Sequence, residues 1–311
     1  MKDFIIIDAH VHLWEKQDGC VGNLPVSGVG NGKSLFLGET RQMIPPYMED
    51  NRNTVERLIA NMDYAGVYGC AVTQEYLDGN QDDYLLKVRE KYPDRFRITA
   101  LYEDDGYVKD FAELKKSDAG DGHERYRLDG FDGLKICACR LKDKDLTSML
   151  EVFKAVEKAG KYISIDMADG DEQTESLQAV INECPDLKIA IGHFGMVTTP
   201  GWQKQIELAK NKNVYVESGG LTWLFHKEFY PYPSAIEAIR EAVGICGIGK
   251  LMWGSDYPRT MTDITYKSAV RFILESKRLT EDEKKAFLGL NAVEFYGFKN
   301  VEPLPEIGNM L

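Results

Sequence analysis

With 311 residues, 43% of them hydrophobic, the chain can bury one large core or two ordinary ones. Its 50 acidic and 38 basic residues leave a formal net charge of −12 without any Lys/Arg block, which excludes a nucleic-acid phosphate backbone as the expected partner. No apolar run nears the ~20 residues that span a bilayer, and the isoleucines behind Phe4 are too few for a signal peptide. The expectation is a cytoplasmic protein with a small-molecule substrate and no membrane partner; homo-oligomerisation stays open. Six scattered cysteines (20, 70, 137, 139, 184 and 246) form no Cys-x-x-Cys pair and read as buried thiols rather than a disulfide framework.

The first strand ends in Asp8-Ala9-His10-Val11-His12. Side chains alternate along a strand, so His10 and His12 share a face, with Asp8 beneath them. One histidine there would be an ordinary hydrogen-bonding residue. Two side by side are costly to bury unless something binds both, and neutral imidazole is the commonest metal ligand.

Residues 15–51 follow as a long glycine-rich stretch, expected to be a surface excursion or lid inserted after the first strand. Its Gly-Lys-Ser at 32–34 resembles a phosphate loop, but that motif needs a glycine where Ser27 stands. From 53 onward helical and apolar stretches alternate. Helices are expected at 53–66, 80–91, 107–117, 146–159, 172–184, 201–211 and 234–243, with further helices at the C-terminus. Strands are expected at 67–73, 95–102, 131–138, 161–167, 186–193, 213–218 and 250–256. With the first strand this makes eight apolar strands separated by amphipathic helices, the pattern of a parallel sheet buried on both faces. The count and length fit a (β/α)₈ TIM barrel occupying 1–311 as one domain. A doubly wound open sheet is the alternative, without a glycine fingerprint after the first strand to support it.

Barrel active sites gather at the C-terminal strand ends. His10 and His12 end the first strand, Lys135 lies in the fourth, Asp166 ends the fifth, His193 the sixth, Glu217 the seventh and Asp256 the eighth. Asp166 or Glu217 alone would read as a strand-end cap; six polar interruptions at one level read as a site. His226 lies in an aromatic loop after the seventh strand that is a candidate cover for it, whereas His123 sits in a charged, solvated loop.

The segments at 8–14 (DAHVHLW), 192–196 (GHFGM), 253–258 (WGSDYP) and 288–298 (LGLNAVEFYGF) resemble the amidohydrolase superfamily. The similarity is to the branch of amidohydrolase-related hydrolases and aminocarboxymuconate-semialdehyde decarboxylases. It implies a distorted barrel with one divalent metal at its mouth, usually zinc. On that resemblance His10 and His12 are ligands, Asp256 is a ligand or proton acceptor, and His193 either supports the ligands from behind or polarises the substrate. Members commonly place a histidine where this chain has Asp166; a carboxylate there can ligate zinc or the harder manganese. Lys135 is expected to bind a substrate carboxylate or form a wall, and Glu217 and His226 to contact substrate. The implied activity is hydrolysis of an amide, lactone or related carbonyl compound by metal-activated water. Alternatives are decarboxylation of an unsaturated or aromatic acid, a metal-independent lactonase, and an inactive binding barrel.

Overall fold

The structure is a computed structural model that describes residues 4–104 and 126–309. The helix expected at 107–117, and His123, lie outside the described residues. The strands are β1 (Ile7–Val11), β2 (Asp18–Val21), β3 (Leu24–Gly30), β4 (Lys33–Phe36), β5 (Glu39–Gln42), β6 (Gly69–Val72) and β7 (Phe96–Leu101). They continue as β8 (Gly133–Ile136), β9 (Tyr162–Ile165), β10 (Lys188–Ile191), β11 (Val214–Glu217) and β12 (Leu251–Met252). Strands β1 and β6 to β12 form one parallel eight-stranded sheet in chain order. Although β12 is only two residues long, the chain beyond it runs alongside β1. Ala9 N donates to Trp253 O (2.9 Å), Asp256 N to His10 O (2.9 Å) and His12 N to Tyr257 O (2.8 Å). These bonds close the sheet into the expected (β/α)₈ barrel.

Helices α1 (Val55–Ala65) and α2 (Asp82–Lys91) flank β6, α3 (Leu150–Lys158) follows β8, and α4 (Thr174–Glu183) follows β9. Helix α5 (Trp202–Glu207) follows β10, while α6 (Leu221–Leu224) and α7 (Pro233–Cys246) follow β11. The chain ends in α8 (Tyr266–Leu274), α9 (Glu281–Lys285) and α10 (Asn291–Tyr296). Outward strand residues such as Val72, Ile98, Ile136, Ile165 and Ile191 pack with the buried stripes of these helices. Inside the barrel, Ile7, Ala9, Ala71, Ala190 and Met252 pack with Phe295 and Tyr296 of α10, which plug the end opposite the histidines.

Two local expectations are corrected. Residues 15–51, expected only as a loop insertion, carry regular structure: β2 to β5 form a four-stranded antiparallel sheet. Its hairpins turn through Gly22-Asn23, Asn31-Gly32 and Leu37-Gly38, with φ of 56° and 63°, 53° and 70°, and 49° and 82°. Such paired left-handed residues match the right-handed twist of flanking strands. The glycines that suggested a phosphate loop are therefore hairpin chemistry. Secondly, Asp8 does not share the face of His10 and His12. Asp8 pairs with Cys70 but Val11 with Val72, so β1 carries one extra residue, a bulge. Ala9 joins the inner cluster, while Asp8 meets Tyr266 of α8.

Fully buried Asp8 ties the barrel shut. Its Oδ1 accepts from Ser255 N (2.8 Å) and His10 N (3.1 Å), and its Oδ2 from Tyr266 Oη (2.7 Å). Burial pushes this carboxyl up to about 6, against those hydrogen bonds, which pull it down. The folded state thus binds a proton more tightly than the unfolded chain, so this group's contribution to stability falls as pH rises from the ordinary carboxylate value to about 6. Asp8→Asn removes the ionisation and keeps an acceptor for the two amides. Urea unfolding should show the variant gaining on the parent by ~1–3 kcal/mol between about pH 4 and about pH 8. A pH-independent difference would contradict this account.

Candidate active site at the barrel mouth

Three donor atoms meet where the barrel closes. His10 Nε2 lies 3.1 Å from His12 Nε2, and Asp256 Oδ1 lies 3.0 Å from His12 Nε2 and 3.7 Å from His10 Nε2. All three residues are buried. Asp256 Oδ1 has no hydrogen-bond partner, which is costly for a buried carboxylate oxygen. His10 Nδ1 stands 2.7 Å from Glu217 Oε1 and must donate to it, which leaves the Nε2 lone pair facing the other two donors. Two imidazoles and a carboxylate so arranged fit a divalent cation. Burial and the nearby Arg259 charge lower the pKa of His12, which favours the neutral ligand form. Asp256 is held at φ 58°, a left-handed backbone that a non-glycine residue rarely adopts.

A second set shares His10. His10, Asp166 and His193 also bring donor atoms within 4.8 Å of one another. Asp166 Oδ1 is 2.6 Å from the Nζ of fully buried Lys135, and Oδ2 is 3.6 Å from His193 Nε2. The ring of His193 is fixed by its Nδ1, 3.0 Å from Gly219 O, an acceptor that requires Nδ1 to carry hydrogen. Burial pulls the His193 pKa down, but Asp166 together with Asp256 and Glu217 outweighs it and holds the imidazole up at about 10. Asp166 is held well below the usual carboxylate range: burial opposes this, and Lys135 and His193 prevail.

Above both sets lies a cavity of about 260 Å³ whose wall includes His12, Asp166, His193, Trp223, Asp256 and Met43. Of the expected substrate contacts, Glu217 and Lys135 do not line it. Both are buried: Glu217 orients His10, and Lys135 pairs with Asp166. His226 is exposed, with its Nδ1 2.8 Å from Trp223 O, so the loop delivers Trp223 to the cavity instead.

The wall also holds two arginines that spacing did not reveal. Arg140 Nε grips both oxygens of Glu75 (2.9 and 3.0 Å), and Arg259 Nη2 grips both of Asp78 (2.8 and 3.0 Å). Asp78 Oδ2 is also 3.6 Å from His12 Nδ1. Gln17 Nε2 donates to Asp78 Oδ1 (3.1 Å) and its Oε1 accepts from Ser34 of β4. The inserted sheet is thus tied to the residue behind His12.

Glycines make room for this crowding. A Cβ on Gly192 would stand 2.2 Å from Asp166 Oδ1 and 2.9 Å from Glu217 Oε1. One on Gly219 would stand 2.8 Å from the His10 ring, and one on Gly254 2.7 Å from Glu217 Oε2.

The amidohydrolase family model matches residues 7–298. The chain belongs to the amidohydrolase family. Solved structures share the fold. A probable 2-pyrone-4,6-dicarboxylic acid hydrolase from Acinetobacter baumannii, with citric acid bound, is 22% identical at a TM-score of 0.65, covering 96% of this chain and 100% of that one. An amidohydrolase from Burkholderia multivorans with bound zinc is 15% identical at 0.65, covering 95% and 100%. A 5-carboxyvanillate decarboxylase from Novosphingobium aromaticivorans, complexed with manganese, is 19% identical at 0.52, covering 78% and 79%. This amidohydrolase has no helix among its described residues long and apolar enough to cross a membrane.

The glycine contacts give a direct test. Gly192→Ala should lower the melting temperature by several degrees, since the new methyl must displace buried carboxylates. Gly244→Ala, in the exposed last turn of α7 with nothing within 4 Å of the new atom, should leave it unchanged or raise it. Thermal melts of the two variants decide it; equal effects would mean that the carboxylates yield freely.

Proposed function

We propose that this amidohydrolase uses one divalent metal ion, zinc first and manganese second, to hydrolyse an amide, lactone or related carbonyl compound. The observation that carries this reading is the meeting of His10 Nε2, His12 Nε2 and the unpartnered Asp256 Oδ1 beside a cavity of about 260 Å³. Zinc in the Burkholderia structure and manganese in the Novosphingobium one support the choice of ion. A cation held by these residues supplies positive charge that acidifies water and polarises a carbonyl oxygen.

The chain's own groups supply the rest. Asp256 stays ionised: burial opposes this, but His12, 3.0 Å from Oδ1, and the other histidines around it hold its pKa far below the ordinary carboxylate value. An anionic carboxylate beside the nucleophile's position accepts a proton as the new bond forms. His193, charged and anchored through Nδ1, stands in the cavity wall, where it polarises the carbonyl or protonates the leaving group. Asp166 is assigned as its counter-ion rather than as a fourth ligand, because its oxygens face Lys135 and His193.

A second reading, decarboxylation, is favoured by the two wall arginines. Arg140 uses only Nε, and Arg259 only one terminal nitrogen, on the chain's own carboxylates, so each keeps donors for a substrate acid. Incubation with panels of lactones and unsaturated acids, with carbon dioxide monitored, separates the two reactions.

His10→Ala and His12→Ala should each lose bound metal and turnover together, read by elemental analysis of the purified protein. Asp256→Asn should keep part of its metal while turnover falls ~10²-fold or more, the scale of a lost general base. Near-normal turnover in the metal-replete variant would place the base elsewhere, with His193 next. Asp166→Ala should bind zinc within a few-fold of the parent yet turn over poorly. A loss of zinc as deep as that of His10→Ala would make Asp166 a ligand.

A further inference from the structure

Asp256 has two oxygens, and the structure gives them different partners. Oδ1 faces the histidine pair and accepts no hydrogen bond. Oδ2 accepts from Trp223 Nε1 at 2.7 Å. The backbone is shaped to bring the indole there. Helix α6 starts from Gly220, at φ 80°, where a Cβ would stand 2.0 Å from Trp223 Nε1. The indole also lines the cavity and lies edge-on to His193, with ring centroids 6.0 Å apart and planes at 64°.

An indole N–H donates only; it neither takes up a proton nor ligates a cation. The terminal torsion of an aspartate is otherwise soft and roughly two-fold, so either oxygen could turn towards the histidines. A donor fixed on one oxygen removes that freedom. We propose that Trp223 is a positioning residue for Asp256, holding Oδ2 so that Oδ1 alone is presented to His10 and His12. This rests on the reading of Asp256 as a metal ligand. It gives the aromatic loop after β11 a task in place of substrate contact by His226.

The hydrogen bond has its own spectroscopic handle. Trp14 donates to Asn51 O and Trp253 to Ala269 O, both neutral carbonyls, whereas Trp223 donates to a carboxylate. Charge-assisted bonds are shorter and stronger than neutral ones. In a proton–nitrogen correlation spectrum of the full-length protein, the indole signal lost in Trp223→Phe should be downfield of those of Trp14 and Trp253. Asp256→Asn should move that signal upfield and leave the other three, those of Trp14, Trp202 and Trp253, in place. Zinc added to the metal-free parent should shift the same signal selectively. Trp223→Phe should still bind one zinc per chain, but about tenfold more weakly, the scale seen when a ligand loses its hydrogen-bond partner. A Trp223 signal indifferent to Asp256→Asn would overturn the proposal, as would unchanged zinc affinity in Trp223→Phe. Should the parent bind no zinc, the metal reading fails, and with it the proposed presentation of Oδ1. A response of the signal to Asp256→Asn would then leave only the hydrogen bond standing.

Discussion

The closing of the barrel between its first and last strands is the constraint on which the site depends. Strand β12 is two residues long, so closure is not a ladder but a few separate bonds between residues 9–12 and 253–257. The buried Asp8 carboxyl adds a side-chain tie, accepting from amides on both sides of the join. His10 and His12 lie on one side and Asp256 on the other. Whatever keeps the join in register therefore also sets the spacing of the three donors.

Around the join, each charged group is matched to a neighbour that fixes its orientation. Glu217 holds His10, Asp78 stands behind His12, Trp223 holds Asp256, and Lys135 with His193 frames Asp166. A low-dielectric interior strengthens such pairs and penalises any left open. Asp256 Oδ1 and His12 Nδ1 are both left here without a hydrogen bond. The inserted sheet, through Gln17 and Ser34, extends this support to the protein surface.

The barrel was legible in the sequence because apolar strands and amphipathic helices alternate with periods that burial imposes directly. The histidine pair, His193 and Asp256 were legible because each interrupts an apolar run at a strand end. Trp223, Arg140 and Arg259 were not, since their roles depend on where loops cross the mouth, and no periodicity reports that. Asp8 was misplaced because one extra residue in β1 reverses the face, and a bulge leaves no mark in the alternation of residue types. The hairpins of 18–42 carried a readable sign, paired turn residues such as Asn31-Gly32, but the strands between them lack clean alternation. Lys135 and Glu217 lie at the expected level of the barrel but do not line the cavity, because they are buried against Asp166 and His10. A polar residue's height along a strand follows from sequence, whereas its depth behind other side chains does not.

The join also orders events in time. Asp8 and Ser255 are 247 positions apart, so a ribosome adding ~5–20 residues per second exposes the histidines for ~10–50 s before their carboxylate partner exists. A nascent chain holding only two imidazoles has an incomplete and weakly discriminating set of donors. The two imidazoles and the carboxylate come together only when the last strand docks, so no earlier stage of the chain holds the complete set.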